Sequence, residues 1–269
     1  PEDSEPYPLS RSRIENFINC PRCFHLEERQ GIKAPSGPQF LLNSGIDTLY
    51  KNEFDSYRKK KIPHPLMEKN NINAIPFSHK DLDLWRNNFK GIRWFDEKHN
   101  FTLFGAVDDL WINEKEEIHI VDYKSTAKKD FSPNFTSGYQ VAYKRQLEIY
   151  HWLFKKNNFK MSNIGYIVYA NGITTKNEFN GLFEFEQYVF PIHLNDSWVD
   201  NVIQKMYECL QSDKLPPSGG GWNGQGCEQC AYKKSLAKLM RAQIEKENQV
   251  NSCLYTHLRA HETSLQLVC

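Results

Sequence analysis

Two aspartates and a lysine at strand spacing are the residues of this 269-residue chain best suited to chemistry on a phosphodiester. Asp108 stands in the run FTLFGAVDDLWI, and Asp122 and Lys124 stand in EIHIVDYKST, with the polar turn Asn113-Glu114-Lys115-Glu116 between them. Both runs are rich in β-branched and aromatic residues, so together they read as a hairpin. Side chains alternate along a strand, which sends Asp122 and Lys124 to one face and Val121 and Tyr123 to the other. Phosphodiester hydrolysis needs a hard cation held by oxygen ligands, a water activated for in-line attack, and positive charge for the transition state. On this reading Asp108 and Asp122 hold Mg²⁺ or Mn²⁺, while Lys124 positions or activates the water. Asp109 points the other way and is not the expected ligand. An Asp-x-Lys tripeptide alone more often faces water at a strand end, so its setting has to decide.

A second set of residues could bind a metal without doing catalysis. Cys20-Pro-Arg-Cys23 and Cys227-Glu-Gln-Cys230 are two C-x₂-C pairs, one on each side of the hairpin. In a reducing compartment such pairs bind metal more often than they form disulfides. Four thiolates complete a tetrahedral shell, and the generic occupant is a structural zinc with no open position for substrate. Cys209, Cys253 and Cys269 are expected to be free.

The elements that must position these groups can be read around them. Residues 1–9 form a loose leader, and a helix starts at Ser10 or Ser12, ahead of Ile14, Phe17 and Ile18, and ends near Cys20-Pro21. A second helix runs over about 40–61, with Leu41, Ile46, Leu49, Tyr50 and Phe54 at helical spacing. Residues 62–100, rich in Pro and Asn, read as an irregular insertion with one amphipathic piece near Asp81 to Phe89. After the hairpin come a helix over about 139–156, a strand at NIGYIVYA, a strand over about 182–193 and a helix over about 198–210. Strands mixed with helices predict an α/β fold with a central mixed sheet flanked by helices. The stretch 241–269 is taken as a tail, an added or a natural appendage, outside a single domain over 10–240.

Composition sets few limits on partners. Lys+Arg at 34 against Asp+Glu at 33 gives no global field that would demand or exclude nucleic acid. Basic clusters at Arg58-Lys59-Lys60-Lys61, Lys128-Lys129, Lys144-Arg145 and Lys155-Lys156 could meet phosphate, and Tyr57, Trp85, Trp94, Tyr139 and Tyr143 could stack on bases. Each of these is more simply a solvated face or a core residue. The apolar runs are strand-sized, well short of the roughly 18 residues a membrane span needs. The opening PEDSEPYPLS lacks the basic-then-apolar order of a secretory signal, so a cytoplasmic protein is expected.

The succession GAVDDLWI, IVDYKST and YKRQLEIY resembles the consecutive motifs of RecB-type nucleases of the PD-(D/E)xK superfamily, most clearly over 105–150. The resemblance implies a restriction-endonuclease-like core, with Asp108, Asp122 and Lys124 as its acidic ligands and lysine. It also implies a Gln-x-x-x-Tyr helix at Gln146 and Tyr150, which are i and i+4 and share a face. Family members commonly carry a histidine metal ligand in an earlier helix. Aligning LLNSGIDTLYK to that helix puts Asp47 there, a carboxylate still suited to Mg²⁺. Relatives with terminal cysteines often hold a 4Fe-4S cluster, which the resemblance favours over zinc for Cys20, Cys23, Cys227 and Cys230. Their split is one cysteine before the core and three after, whereas here it is two and two, and Ser235 stands near the last expected place. In either case the cysteines clamp the two ends of the domain together.

The activity so implied is a metal-dependent deoxyribonuclease, an exonuclease on single strands or DNA ends. It would serve DNA processing, repair, recombination or CRISPR adaptation, with protein partners possible in such a complex. A structure-specific or restriction-type endonuclease would use the same chemistry. A DNA-binding adaptor subunit, as in spacer acquisition or recombination, would bind without cleaving.

Overall fold

The computed structural model describes residues 5–34, 37, 40–221 and 224–265, with side chains described as far as Val250. In chain order the elements are β1 (Tyr7–Ser10), α1 (Arg11–Asn19), α2 (Pro21–Glu28), α3 (Leu41–Lys60), α4 (Pro65–Lys69), β2 (Ala74–Pro76), α5 (Leu82–Arg86), β3 (Ile92–Asp96) and β4 (Phe101–Gly105). They continue with β5 (Asp109–Asn113), β6 (Ile118–Thr126), a 3₁₀ turn at Gly138–Gln140, α6 (Val141–Lys156), β7 (Ile164–Gly172), β8 (Phe185–His193), α7 (Val199–Gln211) and α8 (Glu228–Leu265).

The strands form two sheets. One has the order β1-β4-β3, with β1 parallel to β4, and the other has the order β2-β5-β6-β7-β8. In the larger sheet only β6 and β7 run parallel, so it is mixed, as expected. Side-chain alternation along β6 separates two cores. Ile118 and Ile120 join Leu147, Ile149, Leu153 and Ile167 on the α6 side. Val121 and Tyr123 join Tyr50, Phe54 and Trp111 on the α3 side. Phe54 is fully buried, and a side chain of that size stabilises by roughly 2–3 kcal/mol, so α3 is held firmly on its face of the sheet.

Several boundaries differ from expectation, each for a local reason. The leader is not loose up to residue 9, because Tyr7–Ser10 pairs with Phe101–Phe104. The first helix ends at Asn19 with Cys20 as its cap, as expected, but Pro21 opens a second helix, α2, at a position where its missing N–H is not needed. The stretch 62–100 contributes the edge strands β2 and β3, one to each sheet. FTLFGAVDDLWI is two strands, because the chain leaves one sheet at Gly105 and enters the other at Asp109. A Cβ on Gly105 would lie 2.5 Å from Cε1 of Tyr150, so only glycine lets β4 end against that ring. The tail expected after 240 instead continues α8 to Leu265. The side chain of Cys253 and all of Cys269 fall outside the described residues.

Candidate active site and thiolate cluster

At the crossing between the sheets, Asp108 precedes β5 and turns toward β6, where its Oδ2 accepts the Tyr123 backbone N–H at 3.0 Å. Asp122 is fully buried. Its Oδ1 accepts from Gln146 Nε2 at 2.7 Å, and its Oδ2 forms an ion pair with Lys124 Nζ. The Asp108 and Asp122 carboxyls are near enough for each to shift the titration of the other. Gln146 also donates to the Tyr150 hydroxyl at 3.3 Å, and that hydroxyl receives the Arg11 guanidinium. Sequence spacing therefore brings Asp108, Asp122, Lys124, Gln146 and Tyr150 together. Asp108, Lys124, Gln146 and Tyr150 line a cleft of about 450 Å³ together with Arg11, Asn88 and Tyr143, and Asp122 is buried behind them.

Asp47 sits at the edge of this group with Lys51 between it and Asp108. Lys51 Nζ donates to Asp47 Oδ2 at 2.7 Å and to Asp108 Oδ1 at 3.3 Å. Lys51 and Arg11 are the site residues that sequence reasoning missed. The Asp47–Lys51 spacing of one helical turn was the available signal for the first. Among the described residues, the four cysteines form the group of three or more candidate ligands drawn within 4.8 Å of one another, so the three carboxylates are spread more widely than that.

Electrostatics separate the carboxyls. Burial pushes Asp122 up to about 7; Lys124 opposes the rise and the Asp108 charge adds to it. Asp108 is also penalised by burial, but Lys124 and Lys51 together hold it below the usual carboxylate range. Asp47 is raised by burial and by the charge of Asp108, against the pull of Lys51. Lys124 stays protonated because Asp122 and Asp108 outweigh its burial.

Asp109 faces the opposite side, as its place in the strand requires. It accepts from the Tyr123 hydroxyl at 2.7 Å and pairs with Arg58 and Arg86. Arg86 also donates to the Asp108 carbonyl at 2.9 Å, so this buried ion group braces the backbone that carries Asp108. Arg58 is thereby removed from any phosphate-binding cluster. Arg145 is likewise taken up by buried Glu15, Lys155 by Asp196 and Lys156 by Asp200. Lys128 remains beside the cleft, its Nζ 2.9 Å from the hydroxyl of half-exposed Tyr139. Trp85 is buried in the core, stacked on His79.

The cysteine pairs meet far from this cleft in sequence but at equivalent places in structure, each at the start of a helix. Cys20 caps α2, and Cys227 directly precedes α8. Cys20 Sγ lies 3.6 Å from Cys230 Sγ, and Cys23 Sγ lies 3.5 Å from both Cys227 Sγ and Cys230 Sγ. Backbone N–H groups of Cys23 and Gly219 donate to Cys20 Sγ at 3.4 and 3.3 Å. A Cβ on Gly219 would lie 2.2 Å from the Asn19 carbonyl oxygen, which is why a glycine makes this approach. Burial works against ionisation of Cys20, but the donors from Gly219 and Cys23 prevail and lower it, while burial raises Cys23 and Cys230. Cys209 stands outside the cluster.

The described helices include none long and apolar enough to cross a membrane. No curated protein matches the chain. Among solved structures, that of SSO0001 is similar at 15% identity, covering 78% of this chain and 79% of that one, with a TM-score of 0.37. The family model of the PD-(D/E)XK nuclease superfamily matches residues 46–235, a span that begins beside Asp47, contains the whole carboxylate and lysine group, and ends past Cys230. With well over half its length matched by that model, this chain belongs to the PD-(D/E)XK nuclease superfamily.

Proposed function

We propose that the protein is a divalent-metal-dependent deoxyribonuclease of RecB type acting on single strands or DNA ends. The observation that carries this reading is the grouping of Asp108, Lys124, Gln146 and Tyr150 around one open cleft, with buried Asp122 held behind them by Lys124 and Gln146. The donor set fits a hard cation, since Asp108 and Asp122 are neighbouring acids whose mutual repulsion would be relieved by a bound Mg²⁺ or Mn²⁺. That ion would supply Lewis acidity toward the phosphodiester and lower the pKa of attacking water. Lys124 lies beside the same carboxylate and can orient the water while stabilising charge that develops on phosphate oxygens. Gln146 fixes the Asp122 carboxyl by its amide, and Tyr150, held by Arg11, fixes Gln146 in turn. Tyr139 beside Lys128 offers a stacking surface and a cation at the mouth of the cleft, which suits an unpaired strand.

End-labelled single-stranded and duplex DNA, with circular forms of each, provide the test. Expected are Mn²⁺- or Mg²⁺-dependent release from linear ends and resistance of covalently closed circles. Cutting of circles would support an endonuclease, and binding without cleavage at any divalent ion would support an adaptor. Asp47 borders the site as an outer contributor, so Asp47→Ala should raise the Mn²⁺ requirement by about 10-fold. An unchanged titration would remove it from the site.

Metal affinity should also depend on pH in a definite direction. Asp122, raised to about 7 by burial, must lose its proton to act as an anionic ligand. Mn²⁺ affinity is therefore expected to climb as pH rises through about 7 and to level off above it. A flat profile between pH 6 and 8, bounds chosen about one unit either side of that value, would place the ligand elsewhere.

For the cysteines, the sulfur spacing supports a single zinc ion over the 4Fe-4S cluster that the resemblance favours. Zn–S bonds of about 2.3 Å at tetrahedral angles put sulfurs about 3.8 Å apart. Ligands on the corners of a cubane are separated by its whole width, about 6 Å. The contacts of 3.5 and 3.6 Å match the first. Anaerobically purified protein should contain about one zinc per chain, and iron with matching sulfide would overturn this assignment.

A further inference from the structure

Lys51 has no part in the scheme above, yet it sits among the carboxylates. It donates to Asp47 at 2.7 Å and to Asp108 at 3.3 Å, with its side chain 22% exposed. The helix that carries it is fixed by its neighbours, since Tyr50 stacks on Tyr123 at 5.0 Å and Phe54 on Trp111 at 5.4 Å. Tyr123 is the strand residue between Asp122 and Lys124. The register that sets Lys124 in the cleft and Asp122 beneath it therefore also sets Lys51 against Asp108.

Asp108 divides its two oxygens between different partners. Oδ2 is held by the Tyr123 N–H, and Oδ1 faces the Lys51 ammonium. In two-metal phosphodiesterases a second ion lies about 3.5–4 Å from the first and shares its carboxylates. We propose that Lys51 is a built-in second cation, which ties Asp47 to Asp108 where a further metal would bind and so limits the site to a single divalent ion at Asp108 and Asp122. This rests on the nuclease reading of the site.

Charge balance favours it. With all carboxyls ionised, Asp47, Asp108 and Asp122 bring three negative charges, and Lys51 and Lys124 in contact with them bring two positive ones. A single divalent ion turns the remainder into one positive charge, which the single negative charge of a phosphodiester balances. A second divalent ion would leave three positive charges on the same count, in a buried setting where uncompensated charge is costly.

Mn²⁺ binding to the full chain, with its cysteine metal in place, tests this by calorimetry and by the electron paramagnetic resonance of the bound ion. The wild-type protein should bind a single Mn²⁺, and Asp108→Asn should lose it. Lys51→Met should admit a second, exchange-coupled ion, and cleavage should change from first order to second order in Mn²⁺. Lys51→Gln provides the same neutralisation should the Met variant fail to fold, while Lys51→Arg should keep the single-ion behaviour. Two ions in the wild type, or one ion of unchanged affinity in both neutral variants, would overturn the proposal. Binding indifferent to Asp108→Asn would instead overturn the reading of the site, and the proposal with it.

Discussion

Asp108→Asn, Asp122→Asn and Lys124→Ala should each lower DNA cleavage by at least about 10³-fold, the scale of losing a group that acts on the transition state. The chain should stay folded in all three. Asn keeps the size of the buried Asp122 carboxyl and can still accept from Gln146, so the variant loses negative charge without opening a cavity. Lys124→Ala removes one partner of a buried pair, but burial already pushes Asp122 toward its neutral form, which lets that carboxyl protonate when the ammonium is gone. Thermal melting should therefore change little while single-turnover cleavage collapses. A folded Lys124→Ala protein cutting at the wild-type rate would end the assignment.

The second large effect belongs to the cysteines and runs in the opposite sense, through stability. Loss of any one of Cys20, Cys23, Cys227 or Cys230 should cost several kcal/mol, because ligation free energy in a closed metal site is folding free energy. Against a total stability of about 5–15 kcal/mol that is a large fraction, and a fall in Tm of about 10 °C is expected for Cys20→Ser or Cys227→Ser. Chelation of the wild-type protein should reproduce it. Cleavage should fall only as far as the folded population falls, so the residual activity per folded molecule separates this effect from that of the aspartates. Unchanged melting of a Cys20→Ser, Cys227→Ser double variant would remove the clamp.

The placement of the candidate site residues was more legible in the sequence than the topology. Two-residue alternation places Asp122 and Lys124 on one face and Tyr123 on the other, a consequence of strand geometry alone. The same alternation fixes Asp109 on the side of Arg58 and Arg86. The division of FTLFGAVDDLWI between two sheets was not legible, because its apolar pattern runs unbroken across the switch at Ala106 and Val107. What marks the switch is Gly105, whose need for a missing side chain arises from Tyr150, 45 positions further along. The short strands β2 and β3 escaped for a related reason: edge strands of three and five residues carry too little alternation to stand out in a polar stretch. Lys51 was hidden by its type, since a lysine one turn from an aspartate on a helix usually makes a surface pair, and only the tertiary approach of Asp108 gives it another partner.

The distance along the chain between the two cysteine pairs carries a consequence for biosynthesis. Cys23 and Cys227 are 204 residues apart, so at about 5–20 residues per second the first pair emerges from the ribosome some ten to forty seconds before the second exists. During that interval a metal ion meets half a shell and no closed site. Asp108 and the strand that carries Asp122 are made before any thiolate metal can be secured, and capture of that metal waits on synthesis of the second pair, an order set by the sequence itself.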